Sequence, residues 1–156
     1  DIGKVGIPDR ILRKPGPLVG EEWDLMKTHA AMGAQALERA EADVATPLPF
    51  LRYAKEIARW HHERWDGSGY PDGLQGEAIP LSARLMALAD VFDALINERV
   101  YKDAFPLDLA RELILQGRGA HFDPQVVDAF DAVFEEFRQI ALQFADPSTA
   151  TSECLH

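Results

Sequence analysis

Between Gly67 and Pro80 the chain carries Gly67, Gly69, Pro71, Gly73, Gly76 and Pro80, more backbone breakers than any helix or central strand tolerates. That segment must be an ordered loop, with room at most for a small hairpin, and the flanking chain has to build the fold around it. The flanks read as helix. From Glu21 to about Glu41, Trp23, Met26, Ala30, Gly33 and Leu37 recur at three- and four-residue spacing, with Glu21 and Glu22 in the first turn, where the helix dipole favours acids. Thr46, Pro47 and Pro49 break the chain, and Phe50, Ala54, Ile57, Ala58 and His61 then trace one face of a second helix running to about Arg64.

Beyond the loop a third helix is predicted from about Leu81 to Asn97, with the apolar stripe Leu85, Met86, Leu88, Ala89, Phe92 and Leu95. A fourth spans about Leu107 to Gln116 and ends at Gly117. The last starts with Asp123 as N-cap and Pro124 at its first position, and places Val126, Val127, Phe130, Phe134, Phe137 and Ala141 on one side. The first twenty residues read as ordered loop, and the tail from about residue 146 to 156 is expected to be disordered. The predicted class is therefore all-α, a helical bundle with glycine- and proline-rich loops.

A length of 156 residues fits one domain, and 47% hydrophobic residues can fill its core without disulfide staples. The 16 basic and 26 acidic residues leave a formal charge of −10, which disfavours long nucleic acid and anionic membrane as partners. An anionic ligand would need locally concentrated cations. The single cysteine, Cys154, cannot form an intrachain disulfide, which fits a reducing compartment; a cytoplasmic location is expected, since no apolar run approaches membrane-spanning length and no signal peptide is visible.

Against this background a few polar residues stand where apolar ones belong. His29 lies on the inner stripe of its helix, a place more often held by a core histidine bonded to a carbonyl. His61 shares a face with Phe50, Ala54 and Ile57, and His62 lies about 100° further round. Capping of the helix C-terminus by imidazolium and metal ligation both explain this pair, and spacing leaves the choice open. Asp90, between Ala89 and Val91, is costly to bury unless it meets a cation or several donors; Asp93 stands one turn on. Three inward histidines and an aspartate on separate helices favour a divalent metal site. Zinc-finger cysteines, a serine-hydrolase elbow and a phosphate-cradling loop are all missing.

In order, "DIGKVGIPD" at 1 to 9, "MKTH" at 26 to 29, "HHERWDGSGYPDGLQGEAIP" at 61 to 80, "ALADVFDAL" at 87 to 95, "ERVYK" at 98 to 102 and "HFDP" at 121 to 124 resemble the HD-GYP domain, a subgroup of the HD metal-dependent phosphohydrolases. The likeness spans roughly residues 1 to 145. It implies an all-α fold and a site with two or three divalent metals, iron or manganese favoured, that hydrolyses cyclic di-GMP to linear pGpG or on to GMP with a metal-activated water. Position by position, it implies that Asp1 is a metal-bridging aspartate and that His29, His61, His62 and Asp90 are further ligands. Lys4 would assist attack on the phosphate, Arg99 and Lys102 would hold ligand phosphates, and Tyr70 is a candidate for guanine stacking or partner contact. Gly69, Pro71, His121 and Asp123 read as structural, and Glu63 and Asp66 as partners of the loop backbone or of the histidines.

The resemblance also implies an upstream receiver or sensor domain, protein partners at the GYP loop and a homodimer as candidate associations. The family motif reads His-Asp, and this chain opens at the Asp. The expectation is therefore a fragment without its N-terminal helices, inactive when isolated, exposing apolar surface, and drawn from a parent that is a phosphodiesterase. The competing expectations are a non-catalytic interaction module and a phosphohydrolase for another cyclic dinucleotide. Val100 in "ERVYK", Ile96 in "DALIN" and Ala120 in "RGAHFDP" depart from the usual family residues.

Overall fold

The structure is a computed structural model describing residues 1–43, 48–97 and 104–144. The expectations for Arg99, Lys102, Val100, Cys154 and the tail fall outside these described residues. Among them the chain forms α1 (Asp9–Leu12), α2 (Glu21–Ala42), α3 (Pro49–Trp60), α4 (Leu81–Ile96), α5 (Leu107–Gln116), α6 (Pro124–Ala132) and α7 (Phe134–Gln143), with short 3-10 turns at Ile2–Gly6 and Gly76–Ala78. No strand occurs among the described residues; a lone bridge joins Arg118 and Phe122. The fold is all-α.

Several boundaries depart from the sequence reading for local reasons. The first twenty residues hold a 3-10 turn and α1, which starts directly after Pro8, whose fixed φ suits a helix entry. The second helix stops at Trp60 instead of reaching Arg64. His61 forms its C-cap, and the chain then leaves the helix so that the Trp65 and Asp66 N–H groups reach the carbonyls of His121 and Ala120. The loop forms no hairpin. Its glycines permit a compact irregular path, closed where the Gly76 N–H donates to the Trp65 carbonyl at 2.9 Å. The expected last helix is two helices, broken at Val133 (φ −113°, ψ 19°), with no glycine or proline to mark the break.

Asp123 does cap α6, accepting from the Gln125 N–H at 2.8 Å, and Pro124 occupies the first turn, where its missing N–H costs nothing. Its other oxygen takes Arg84 of α4 at 2.7 Å, so this buried carboxylate is paired and ties α6 to α4. The apolar stripes of α4, α5 and α6 meet in one core around Leu88, Phe92, Ile114, Phe122, Val127 and Phe130. On the other side α2 packs on α3 and on the N-terminal turn through Ala30, Gly33, Ala34 and Ala58, residues small enough for close backbone approach.

Not every expected inward residue is inward. Trp23 on α2 is 46% exposed, and Leu85 and Met86 on α4 are also exposed, because α4 is apolar over more of its circumference than its neighbours cover. With Ile140 and Phe144 of the α7 region these leave apolar surface open to solvent.

Candidate metal centre

Three segments distant in sequence converge on one point. Gly3 makes the first approach possible: a Cβ there would lie 1.9 Å from the His29 carbonyl oxygen, so only glycine lets the N-terminal turn lie against α2 and carry Asp1 to His29. His29, buried in α2, donates from Nδ1 to the Met26 carbonyl at 2.7 Å. His61, buried at the end of α3, donates from Nδ1 to the Ile57 carbonyl at 2.7 Å. A carbonyl only accepts, so both rings carry their proton on Nδ1 and present a lone pair at Nε2, the orientation in which backbone partners hold metal-ligating histidines.

Those lone pairs have company. The Nε2 atoms of His62 and His29 lie 3.2 Å apart, and Asp1 Oδ1 stands 3.6 Å from His29 Nε2 and 3.9 Å from His61 Nε2. Ligand atoms of Asp1, His29, His61 and His62 all fall within 4.8 Å of one another. Burial holds the pKa values of His29 and His61 below the usual imidazole value, and burial together with neighbouring His61 and His29 pushes His62 down to about 3. All three are thus neutral at pH 7, the form that binds metal. Neutral imidazoles anchored through Nδ1 beside a carboxylate fit a divalent transition metal.

The other residues named from the sequence sit as follows. Lys4 Nζ pairs with Asp1 Oδ2 at 2.6 Å, placing an ammonium against the cluster. Asp90 is half-buried and lines the cleft that opens from His61 and His62, but it lies outside the group of four mutually close ligand atoms. Tyr70 stacks on His62 with ring centroids 4.8 Å apart, and burial raises its hydroxyl pKa to about 12, so it remains a neutral donor. His121 lines the same cleft and stacks on Phe122 at 4.1 Å.

The loop owes its shape to Glu63. Its carboxylate, 2% exposed, accepts the backbone N–H groups of Asp72 at 2.8 Å, Gly73 at 3.1 Å and Leu74 at 3.1 Å. Asp72 in turn takes Arg59 through two bonds and the Trp60 indole N–H at 2.7 Å, tying the loop back to α3. Asp66 accepts from the backbone and hydroxyl of Ser68. Gly69 is obligatory, since a Cβ there would come within 2.4 Å of the Arg64 nitrogen. Tyr70 is thereby held over His62.

Trp23, Lys27, Arg64 and Ser68 also line the cleft, and none of them stood out as a site residue in the sequence. Trp23 looked like one more member of an apolar stripe. The available signal was its place in the first turn of α2, ahead of the residues that α3 covers.

This all-α fold gathers neutral imidazoles from α2 and the end of α3 and a carboxylate from the N-terminal turn into a group that could hold a metal ion. The chain belongs to the HD domain family, whose family model matches residues 1–126. It is 62% identical over 94% of its length to a Vibrio cholerae protein named cyclic di-GMP phosphodiesterase. It is 57% identical over 96% to a probable cyclic di-GMP phosphodiesterase, and 44% identical over 94% to a 3'3'-cGAMP-specific phosphodiesterase 2, both from the same organism. These similarities agree with the HD-GYP subgroup read from the motifs. The chain spans about a third of those relatives' lengths, at 30%, 34% and 27%. No helix among the described residues is long and apolar enough to cross a membrane.

Proposed function

We propose that the protein containing this chain is a metal-dependent phosphodiesterase for cyclic di-GMP, giving linear pGpG or GMP. The observation that carries the reading is the convergence of Asp1, His29, His61 and His62 within 4.8 Å, with the three imidazoles held neutral by burial. Relatives at 62% and 57% identity bearing that activity in their names support the substrate. In this reading Asp1, His29, His61 and His62 hold two or three divalent ions with Asp90 as a further ligand, and the mixed nitrogen and oxygen donors favour iron or manganese over calcium or magnesium. When bound, such ions lower the pKa of water and offset charge on phosphoryl oxygens during in-line displacement.

The chain's own residues do the rest. Hydrolysis breaks one P–O ester bond, puts a water oxygen on phosphorus, and returns a proton to the departing ribose oxygen. Lys4 brings positive charge to the edge of the cluster where the phosphoryl group gains negative charge. Arg99 and Lys102 grip the ligand phosphates, supplying local cations to a chain of net charge −10. Glu63 and Gly69 fix the loop that closes one wall, and Tyr70 orders His62. An upstream receiver or sensor domain, partners at the GYP loop, homodimerisation and a cytoplasmic location complete the proposal.

A relative named for 3'3'-cGAMP, at 44% identity, favours a second reading in which the substrate is that mixed dinucleotide. Metal analysis of the full-length protein, with turnover measured on both cyclic dinucleotides and His61→Ala as control, tests both. Bound iron or manganese with preferred cleavage of cyclic di-GMP is expected. Preference for 3'3'-cGAMP installs the second reading, and absence of both metal and cleavage leaves a non-catalytic interaction module.

A further inference from the structure

Resting on the phosphodiesterase reading, we propose that the indole of Trp23 is the platform on which one nucleobase of the substrate stacks, which makes Trp23 a specificity-determining residue at the mouth of the cleft. The cleft, about 410 Å³, is lined by Trp23, Lys27, His61, His62, Tyr70 and Asp90 among others, so the indole and the metal-ligand candidates open onto one space. Tyr70, the more obvious stacking residue, is engaged already. One ring partner is His62, at 4.8 Å and an interplanar angle of 29°, and Trp23 meets it nearly at right angles, at 6.2 Å and 80°. Trp23 is 46% exposed, and among the described residues its one ring contact is the edge-on Tyr70, which leaves aromatic surface at the cleft.

Lys27 stands one turn further along α2 and lines the same cleft, its ammonium paired at 2.7 Å with the exposed carboxylate of Asp24, a surface pair that a ligand phosphate can compete with, so a flat apolar surface and a cation lie on one helix face. A ligand matching both is planar and anionic, as a nucleotide is. Burying an indole face under a base removes apolar area from water and adds a stacking contact that every base can make. The platform therefore accepts guanine and adenine alike. It favours phosphodiesters that carry a base over those that carry none and leaves the choice between purines to other residues.

The test uses the full-length protein and two substitutions that separate stacking from packing, Trp23→Phe and Trp23→Leu. GMP affinity is measured calorimetrically on chelator-treated protein, with ribose 5-phosphate as the ligand lacking a base. Trp23→Leu is expected to weaken GMP binding about tenfold, within the range for loss of one base stack, and Trp23→Phe to restore most of it. Ribose 5-phosphate should bind all proteins alike. With cyclic di-GMP and restored metal, Trp23→Leu should raise KM while kcat changes little. Equal GMP affinity in all proteins, or weakening by Phe as large as by Leu, overturns the platform while unsubstituted turnover stays intact. Absence of turnover by the unsubstituted protein instead removes the phosphodiesterase reading beneath it.

Discussion

The α2–α3 half and the α4–α6 half of this molecule bury different chemistry. Around α4, α5 and α6 the interior is apolar and bulky, with Phe92 and Phe130 packed edge to face at 5.5 Å and Phe130 and Phe134 at 5.6 Å. Within α2 and α3 the buried apolar residues, Leu51 apart, are small, and His29, His61 and Glu63 are buried with them. The histidines are satisfied by carbonyls one turn back in their own helices and Glu63 by the loop N–H groups, while small side chains and Gly3 let the segments that carry Asp1, His29 and His61 lie close together. One half is held mainly by apolar area and shape, with the Asp123–Arg84 pair added, the other by backbone hydrogen bonds to buried polar side chains, two of which leave Nε2 turned towards the other ligand candidates. A substitution in one half should therefore fail differently from a substitution in the other.

The largest contrast is expected from His61→Ala. Removing an Nε2 donor should cost at least about 100-fold in metal affinity or turnover, beyond what loss of a supporting partner costs, while helical content by circular dichroism stays near that of the parent. Retained metal stoichiometry in that variant would remove His61 from the ligand set. Phe130→Ala should do the reverse: lose about 3–5 kcal/mol of stability in denaturant titration and keep its metal content below the transition. Loss of metal from the folded Phe130→Ala protein would show that the two halves are not independent.

Glu63→Gln sits between these cases. An amide has one acceptor oxygen where the carboxylate offers two, so at least one of the Asp72, Gly73 and Leu74 N–H groups loses its partner, at about 1–3 kcal/mol. Hydrogen exchange should quicken at those amides first, ahead of amides in α5 and α6, and activity should fall as Tyr70 loses its fixed place over His62. Uniform acceleration across the chain would mean that Glu63 serves global stability and does not set the loop.

The two halves also differed in how readily they could be read. Val126, Val127, Phe130 and Phe134 announce a buried face by spacing alone, and Asp123 followed by Pro124 marks a helix start because capping is local chemistry. The histidines were visible as inward polar residues, and their likeness to a family motif gave them roles. What spacing could not show was tertiary. Whether Trp23 or Leu85 is covered depends on which helix lies opposite, and the break at Val133 carries no local mark. For Glu63 the sequence left the loop backbone and the histidines as alternative partners, since the N–H groups it takes lie nine to eleven residues on, across a loop whose path depends on the close approach at Gly69.

The smallest effect concerns His121, which joins the halves: its ring rests on Phe122 of the apolar core and lines the cleft of the other side. Burial, and then the nearby Arg64 guanidinium, push its pKa from 6.5 down to about 4, with Asp66 opposing. The sign follows from the unfolded chain taking up the proton first. The stability contributed by neutral His121 is complete above about pH 6.5 and is lost as pH falls towards about 4. In chelator-treated protein His29, His61 and His62 titrate in the same direction, so the comparison is between the parent and His121→Asn, in which those three contribute equally. The difference in unfolding free energy should be flat above pH 6.5 and shift in favour of the Asn variant towards pH 4. A difference that stays constant across that range would mean that His121 is solvated in the folded protein and does not bridge core and cleft.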